Sequence, residues 1–159
     1  MRPVVIPGNT VAVDIRARSD SQLPFARLEL IQSRAPWLAE PLPAAAIGWV
    51  TALTAATLPE RHPYPKLYSA LQALLDAICA APSARGWAGA LVAYEVLLLR
   101  ELGYGSPDRA RPAVSNLAEA LDWLDRLQES IATRLLAHSR TDVMGARILL
   151  RERLGKMVA

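Results

Sequence analysis

The strongest constraint on the fold comes from residues 58–105, where proline-marked turns separate two apolar helical stretches. Three prolines between positions 59 and 65 lead into leucines and isoleucine at helical spacing, which predicts an amphipathic helix over about residues 65–81. A second helix is predicted over about residues 84–102. It is apolar around most of its circumference, as is typical of a helix at the centre of a bundle. The two predicted helices contain no set of residues typical of a catalytic site, so this segment favours a binding protein over an enzyme.

The flanking sequence predicts three more helices, over about residues 43–58, over residues 116–138, and from Thr141 or Asp142 to about Met157. Asn116 followed by Glu119 resembles a capping box, which marks the start of a helix. Alanine and leucine dominate the chain, and aromatic residues make up only 6% of it. That composition favours helices packed on helices. With 52% hydrophobic residues in 159, the chain is long and apolar enough to bury a core.

In the first 36 residues, apolar residues recur with a period of two instead of the helical period. Val11, Val13 and Ile15 alternate with small or charged residues, and a second alternating run follows turn-forming residues at 19–21. The pattern predicts an antiparallel hairpin. An isolated hairpin is marginal in water, so it must pack on the helices or on further strands. The fold prediction is therefore a mainly α chain: a five-helix bundle preceded by a short antiparallel β-hairpin.

Few residues suggest chemistry. The two histidines, His62 and His138, lack nearby cysteines or spaced carboxylates that would indicate a zinc site. Cys79 lies on a leucine-rich helix and is expected to act as a small hydrophobic residue. Glu95 interrupts an apolar helix, so it either pairs with an arginine inside the bundle or takes part in catalysis, and the structural interpretation is favoured. We expect no enzyme activity, no metal and no cofactor.

The charge distribution leaves two interpretations open. A net charge of +3 permits an anionic partner without requiring one. Arg16, Arg18 and Arg27 share the polar alternation of the strands and could line one sheet face, which suits a phosphate backbone. With Arg2 and Arg34 they are the candidate nucleic-acid contacts. A solvated face that keeps the protein in solution explains the same arginines equally well.

Three segments carry a resemblance to a known family. IPGNTV at residues 6–11 enters the strand pair, LPERHPYPKLYSAL covers residues 58–71, and YEVLLLRELGYG covers residues 94–105. Together they resemble the RecO family of DNA repair and recombination mediators over about residues 2–105. ARILLRERL at residues 146–154 shows a weaker similarity to the same family. The resemblance implies an OB-fold followed by a helical domain. It would divide this chain into a partial OB-fold at residues 1–36, retaining only the closing strands, and a helical domain at residues 37–159.

The resemblance also implies a function. RecO-like proteins bind single- and double-stranded DNA, associate with RecR and with the C-terminal tail of the single-stranded-DNA-binding protein, and catalyse no reaction. They would be cytoplasmic and nucleoid-associated, without membrane contact. The cysteine module that often holds zinc in the family is missing here. A partner peptide would need an apolar groove with a basic rim, for which the candidate residues are Lys66, Arg85 and Arg100. The alternative is a helical interaction scaffold with no nucleic-acid role.

Overall fold

A computed structural model describes residues 4–105 and 112–158, in which five α-helices follow a two-stranded antiparallel sheet. The predicted fold class is confirmed. The strands are β1 (Thr10–Arg16) and β2 (Phe25–Gln32), and the helices are α1 (Pro41–Thr57), α2 (Pro65–Ala80), α3 (Ala88–Glu101), α4 (Leu117–Ser130) and α5 (Met144–Gly155). Short 3-10 turns precede α1 and α3, and a π-helical turn follows α4.

Local sequence signals explain most helix starts. Pro41 and Pro65 occupy first-turn positions, where the missing N–H removes no intrahelical hydrogen bond. Asn116 caps α4, because its side-chain oxygen accepts a hydrogen bond from the N–H of Glu119 at 2.9 Å. The Glu119 carboxylate in turn accepts one from the N–H of Ser115 at 2.7 Å. The predicted capping pair is therefore confirmed.

Two helices differ most from their predicted bounds, and α5 is also shorter than predicted, since it begins at Met144 after Val143 and ends at Gly155. The helix expected over residues 84–102 is interrupted, because Ala84–Gly86 forms a 3-10 turn before α3 begins. That turn packs tightly on the end of α2, since a Cβ on Gly86 would lie only 2.7 Å from the Cβ of Ala81. The helix expected to reach residue 138 ends at Ser130, and the chain continues as the π-helical turn Ile131–Leu135.

The core lies between the helices, with α3 near its centre. This helix buries residues around most of its circumference, as predicted from its apolar sequence: Ala88, Leu91, Val92, Tyr94, Glu95, Val96, Leu98 and Leu99. Trp49 on α1 and Trp87 at the start of α3 are among the largest side chains that the core encloses. Within the two described ranges, no helix combines the length and the apolarity needed to cross a bilayer.

The hairpin has two chemically distinct faces, because paired residues of antiparallel strands point to the same side. The register places Val13 opposite Leu28 and Asp14 opposite Arg27. The apolar face consists of Val11, Val13, Ile15, Ala26, Leu28 and Leu30, and the charged face of Ala12, Asp14, Arg16, Phe25, Arg27 and Glu29. The apolar face is largely open to solvent: the exposed fraction is 54% for Val13 and 68% for Ile15.

The base of the hairpin is joined to the helices by close packing. Gly8 has a φ of 88°, and a Cβ at this position would lie 2.9 Å from Cγ2 of Ile47 on α1. A side chain is therefore excluded both by the backbone conformation and by the neighbouring helix. Arg34, which follows β2, is fully buried and donates hydrogen bonds to the carbonyl of Gly8 and to the hydroxyl of Thr10.

Candidate partner-binding groove

Among the described residues, a groove follows α3. A depression of about 410 Å³ lies between α2 and α3, and a second of about 390 Å³ lies between α3 and the start of α4. Both are lined by Ala90, Ala93 and Pro112, so they form one continuous surface, which we call the α3 groove. Since α3 has 14 residues, the groove follows about 21 Å of helix axis. About six residues of extended peptide cover that distance.

Small side chains open the groove. Ala70 and Ala73 on α2 face Ala90 and Ala93 on α3, and each pair is three residues apart, so both members lie on one side of their helix. Larger residues at these positions would fill the space between the helices. The alanine content is evident in the sequence, but the spacing of three residues on both α2 and α3 is the signal that locates the groove, and it was missed.

Tyr94 supports the groove from beneath its surface. Its ring is buried, and its hydroxyl lies 2.7 Å from the hydroxyl of Thr54 on α1. Burial raises the pKa of Tyr94, and the hydrogen bond to Thr54 offsets part of that rise. Because the hydroxyl is engaged on the α1 side, the aromatic ring is held in place beside Leu74 and Val96.

Two of the three predicted rim residues line the groove. Arg85 lies at the depression next to α4, and Arg100 lies at the depression between α2 and α3, so the two cations mark different parts of it. Both are exposed. Lys66 does not line the groove; its ammonium is exposed and lies 3.9 Å from the Glu101 carboxylate, at the end of α3 that carries Arg100. The arrangement provides an apolar floor with positive charge at separated points.

Residues 41–150 match the family model described as "Recombination protein O C terminal". The chain belongs to the RecO family. The similar proteins include the DNA repair protein RecO of Rhodospirillum centenum, at 44% identity over 106 residues, which is 66% of this chain and 41% of that protein. The RecO protein of Paracoccus denitrificans is 39% identical over 118 residues, covering 74% of this chain and 47% of the relative.

The family relationship covers the groove but only part of the relatives. The range that matches the RecO model contains α1 to α4, most of α5 and every residue of the α3 groove, whereas the hairpin lies before it. The chain spans less than half the length of those two curated RecO relatives. No solved structure matches the chain.

The structure does not gather the five candidate DNA-binding arginines on one surface. Arg16 and Arg27 lie on the charged face of the hairpin and are exposed. Arg18 is exposed in the turn between the strands. Arg34 is buried at the base, and Arg2 lies outside the described residues.

The charged face of the hairpin is balanced rather than basic. Arg16 pairs with Asp14 at 2.8 Å, and Asp14 also lies opposite Arg27 in the strand register. Glu29 occupies the same face, so two carboxylates accompany the two guanidinium groups. The expectation of a positively lined sheet face is corrected here: the period of two that aligned the arginines aligns the acidic residues with them.

Arg34 also departs from its predicted position on the binding face. Its guanidinium lies 2.6 Å from the carboxylate of Asp76 on α2, and its side chain is 1% exposed. A group enclosed in this way cannot reach a phosphate backbone without separation of the hairpin from the helices. Its structural role was missed because Asp76, its partner, lies 42 positions away in the chain.

The other titratable residues singled out from the sequence lie away from the groove surface. Glu95 is completely buried and accepts a hydrogen bond from the indole N–H of Trp49 at 2.8 Å, so its predicted structural role is confirmed. Cys79 is partly buried, and burial raises the pKa of its thiol. Across residues 4–105 and 112–158, no three histidine, cysteine or acidic side chains come together as a possible metal site.

Proposed function

We propose that this RecO-family chain acts in recombinational DNA repair as a binding protein that makes and breaks no covalent bonds. The observation that carries the proposal is the α3 groove, which lies within the family-matched range and combines an alanine-lined floor with two exposed arginines. Names of the relatives describe DNA repair proteins. The groove is the feature of this chain through which such a role would be exercised.

The ligand that best fits the groove is an acidic peptide that ends in an apolar residue. An apolar side chain would pack on Ala73, Ala93 and Leu97, which line the groove and are at least partly exposed. The terminal carboxylate and the preceding acidic side chains would lie near Arg100 and Arg85, because guanidinium groups form charge-assisted hydrogen bonds with carboxylates. The C-terminal tail of the single-stranded-DNA-binding protein is the proposed natural ligand. RecR is a second proposed partner, and the nucleoid region of the cytoplasm the proposed location.

The DNA-binding half of the proposal depends on Arg16, Arg18 and Arg27, which are the exposed candidates among the described residues. Phosphate contacts are the expected mode, since the hairpin offers guanidinium groups but no aromatic stacking platform beyond Phe25. The balanced charged face favours the second candidate function, a helical protein-interaction scaffold without a nucleic-acid role. Residues 1–36 and 37–159 remain the proposed domain division.

The groove is tested with a fluorescent peptide of four aspartates followed by a phenylalanine with a free carboxylate, measured by fluorescence anisotropy. We expect Arg100→Ala and Arg85→Ala each to weaken binding by about tenfold, as for the loss of one charge-assisted contact. Ala90→Glu should abolish binding, because this exposed residue lines both depressions and the new carboxylate would repel the peptide. Ala55→Glu makes the same change on the exposed face of α1 and should leave the affinity unchanged.

Two further peptides identify which features are recognised. A peptide with an amidated C-terminus should bind more weakly, because the terminal charge is gone. A peptide with phenylalanine replaced by serine should bind more weakly still if the apolar floor contributes as proposed. Equal affinity for all peptides, or equal effects of the α1 and α3 substitutions, would rule out the groove as a specific site.

A salt titration separates the two candidate functions. If single-stranded DNA is bound through its phosphates, the logarithm of the binding constant should fall linearly with log [salt]. The slope should be less steep when Arg18 or Arg27 is replaced by alanine, because fewer phosphates are then neutralised. Binding that is absent at low salt, while the acidic peptide still binds, would favour the scaffold.

A further inference from the structure

A second groove lies between the end of α4 and the start of α5, apart from the α3 groove. It is a depression of about 500 Å³ lined by Asp125, Gln128, Glu129, Ala132, Thr133 and Met144. Ile148 follows Met144 by one turn on the same side of α5 and is 49% exposed, so it extends the apolar surface beyond the depression. We call the depression together with Ile148 the α4–α5 groove.

An ion pair joins the two walls of the α4–α5 groove. Arg151 shares one side of α5 with Met144 and Ile148, because the three residues are spaced at i, i+4 and i+7. Its guanidinium donates through Nε and Nη2 to the two carboxylate oxygens of Asp125 on α4, at 2.8 Å each. The positions of the two helices beside the groove are therefore fixed relative to one another.

The groove has the dimensions of a short helical ligand. From Asp125 to Ala132 its α4 wall extends for about 12 Å, which corresponds to two turns of a helix. At its far end, Ala132 and Thr133 lie in the π-helical turn Ile131–Leu135, a local structure that is frequent at functional sites. The neighbouring cation Arg134 does not line the depression.

The rim of the groove is negative although the whole chain carries a net charge of +3. Asp125 and Glu129 are four residues apart, so their carboxylates lie on the same side of α4, a spacing at which like charges repel. Arg151 pairs with Asp125, whereas Glu129 has no salt bridge among the described residues. Arg126, the only cation of α4, places its guanidinium 5.8 Å from the centroid of the Trp123 ring. A cation supplied by a ligand would relieve the repulsion between the two carboxylates.

We propose that the α4–α5 groove binds a basic amphipathic helix of a partner protein. Apolar side chains of that helix pack on Ala132, Met144 and Ile148, and its lysines or arginines pair with Glu129 and Asp125. Because the α3 groove carries cations where this one carries carboxylates, the two surfaces select partners of opposite charge. The proposal does not depend on the acidic-peptide or DNA binding proposed above.

Fluorescence anisotropy with a designed helical peptide tests the α4–α5 groove. The probe carries leucines at positions i, i+4 and i+7 and lysines on both flanks of that stripe. We expect Glu129→Arg to weaken its binding by about tenfold, because an attraction becomes a repulsion. Ile148→Asp should weaken binding at least as much, since it places a charge in the apolar contact. Both residues are exposed, so circular dichroism should show an unchanged fold.

Matched substitutions elsewhere serve as controls. Glu60→Arg makes the same charge reversal at an exposed position in the turn before α2. Leu149→Asp makes the same apolar-to-charged change at a residue that is 43% exposed and lies about 100° away from Ile148 around α5. Both variants should bind the probe as the unaltered chain does. Ala90→Glu, which blocks the α3 groove, should also leave this affinity unchanged.

Two altered probes and one measurement on the chain alone complete the test. On the Ala90→Glu variant, a probe with every lysine replaced by glutamate should not bind, and one with every leucine replaced by serine should bind more weakly. Equal affinity for the lysine and glutamate probes, equal effects of Ile148→Asp and Leu149→Asp, or no binding of the lysine probe at low salt overturns the proposal. Self-association of the chain that Ile148→Asp abolishes, measured by analytical ultracentrifugation, also overturns it, because a second copy would then occupy the groove.

Discussion

Arg147 of α5 pairs with Glu95 of α3 in the interior of the bundle, with 2.8 Å between Nη2 of the arginine and Oε2 of the glutamate. The arginine also donates through Nε to the other carboxylate oxygen and through Nη2 to the carbonyl of Leu124 on α4. Trp49 of α1 donates its indole N–H to the same carboxylate. A single ion pair thus connects four helices, and its exposed fraction is at most 2% on either side.

Removing one member of this pair should be strongly destabilising. Arg147→Met leaves an uncompensated buried carboxylate and should lower the free energy of unfolding by about 3–5 kcal/mol. The double variant Arg147→Met with Glu95→Gln should recover much of that loss, since glutamine carries no charge and can still accept from Trp49. Urea unfolding followed by circular dichroism measures both. A double variant no more stable than the single one would show that the charge itself is not the cause.

Arg34 should stabilise the fold by joining the hairpin to the helices. Arg34→Met removes its hydrogen bonds to Gly8, Thr10 and Asp76 and should cost about 2 kcal/mol, less than a fully buried pair because Asp76 remains half-exposed and hydrated. Amide hydrogen exchange of the hairpin should accelerate in this variant. Arg27→Met, on the exposed charged face, should change the free energy of unfolding by less than about 0.5 kcal/mol. Equal losses would contradict the anchoring role of Arg34.

Three glycine-to-alanine substitutions should change the free energy of unfolding by different amounts. Gly8→Ala combines a left-handed φ with the contact to Ile47 and should cost about 2 kcal/mol or more. Gly103→Ala has a similar φ of 87° but open space around its Cβ, so it should cost about 1 kcal/mol. Gly48→Ala lies inside α1 with nothing within 4 Å and should stabilise by about 0.5–1 kcal/mol. Thermal unfolding orders the three, and a stabilising Gly8→Ala would refute the close approach to α1.

The ion pair between Asp125 and Arg151 should make a pH-dependent contribution to the free energy of unfolding. The hydrogen bond from Arg151 lowers the pKa of Asp125 below its ordinary value of 3.8. Because the pKa of Asp125 is lower in the folded state than in the unfolded state, the pair stabilises the fold at pH values above the unfolded pKa. This stabilisation is lost as the pH falls through the folded pKa. Arg151→Met should therefore cost less than about 1 kcal/mol at pH 7, because the pair is largely solvent-exposed, and this cost should shrink as the pH falls through the folded pKa of Asp125. A difference between the two proteins that does not shrink on acidification would contradict this.

Several features could be predicted from local patterns because their causes are local. The cap at Asn116, the proline starts of α1 and α2 and the alternation in the hairpin each depend on residues a few positions apart. The apolar circumference of α3 indicated its central place for a similar reason, since a helix without a polar face has no surface to present to water. The candidate rim residues Arg85 and Arg100 were identified because they border this helix.

Other features depended on contacts between distant residues. Glu95 was expected to meet an arginine, but only the packing of α5 decided that Arg147 is its partner, 52 positions away. Arg34 looked like its neighbours in the sequence, and it is buried because Asp76 and the turn at Gly8 approach from other elements. Helical and strand periods therefore determined the elements and the faces they present. Tertiary packing alone decided which charges are buried and paired and where the α3 groove opens, because desolvation and pairing depend on neighbours in space and not along the chain.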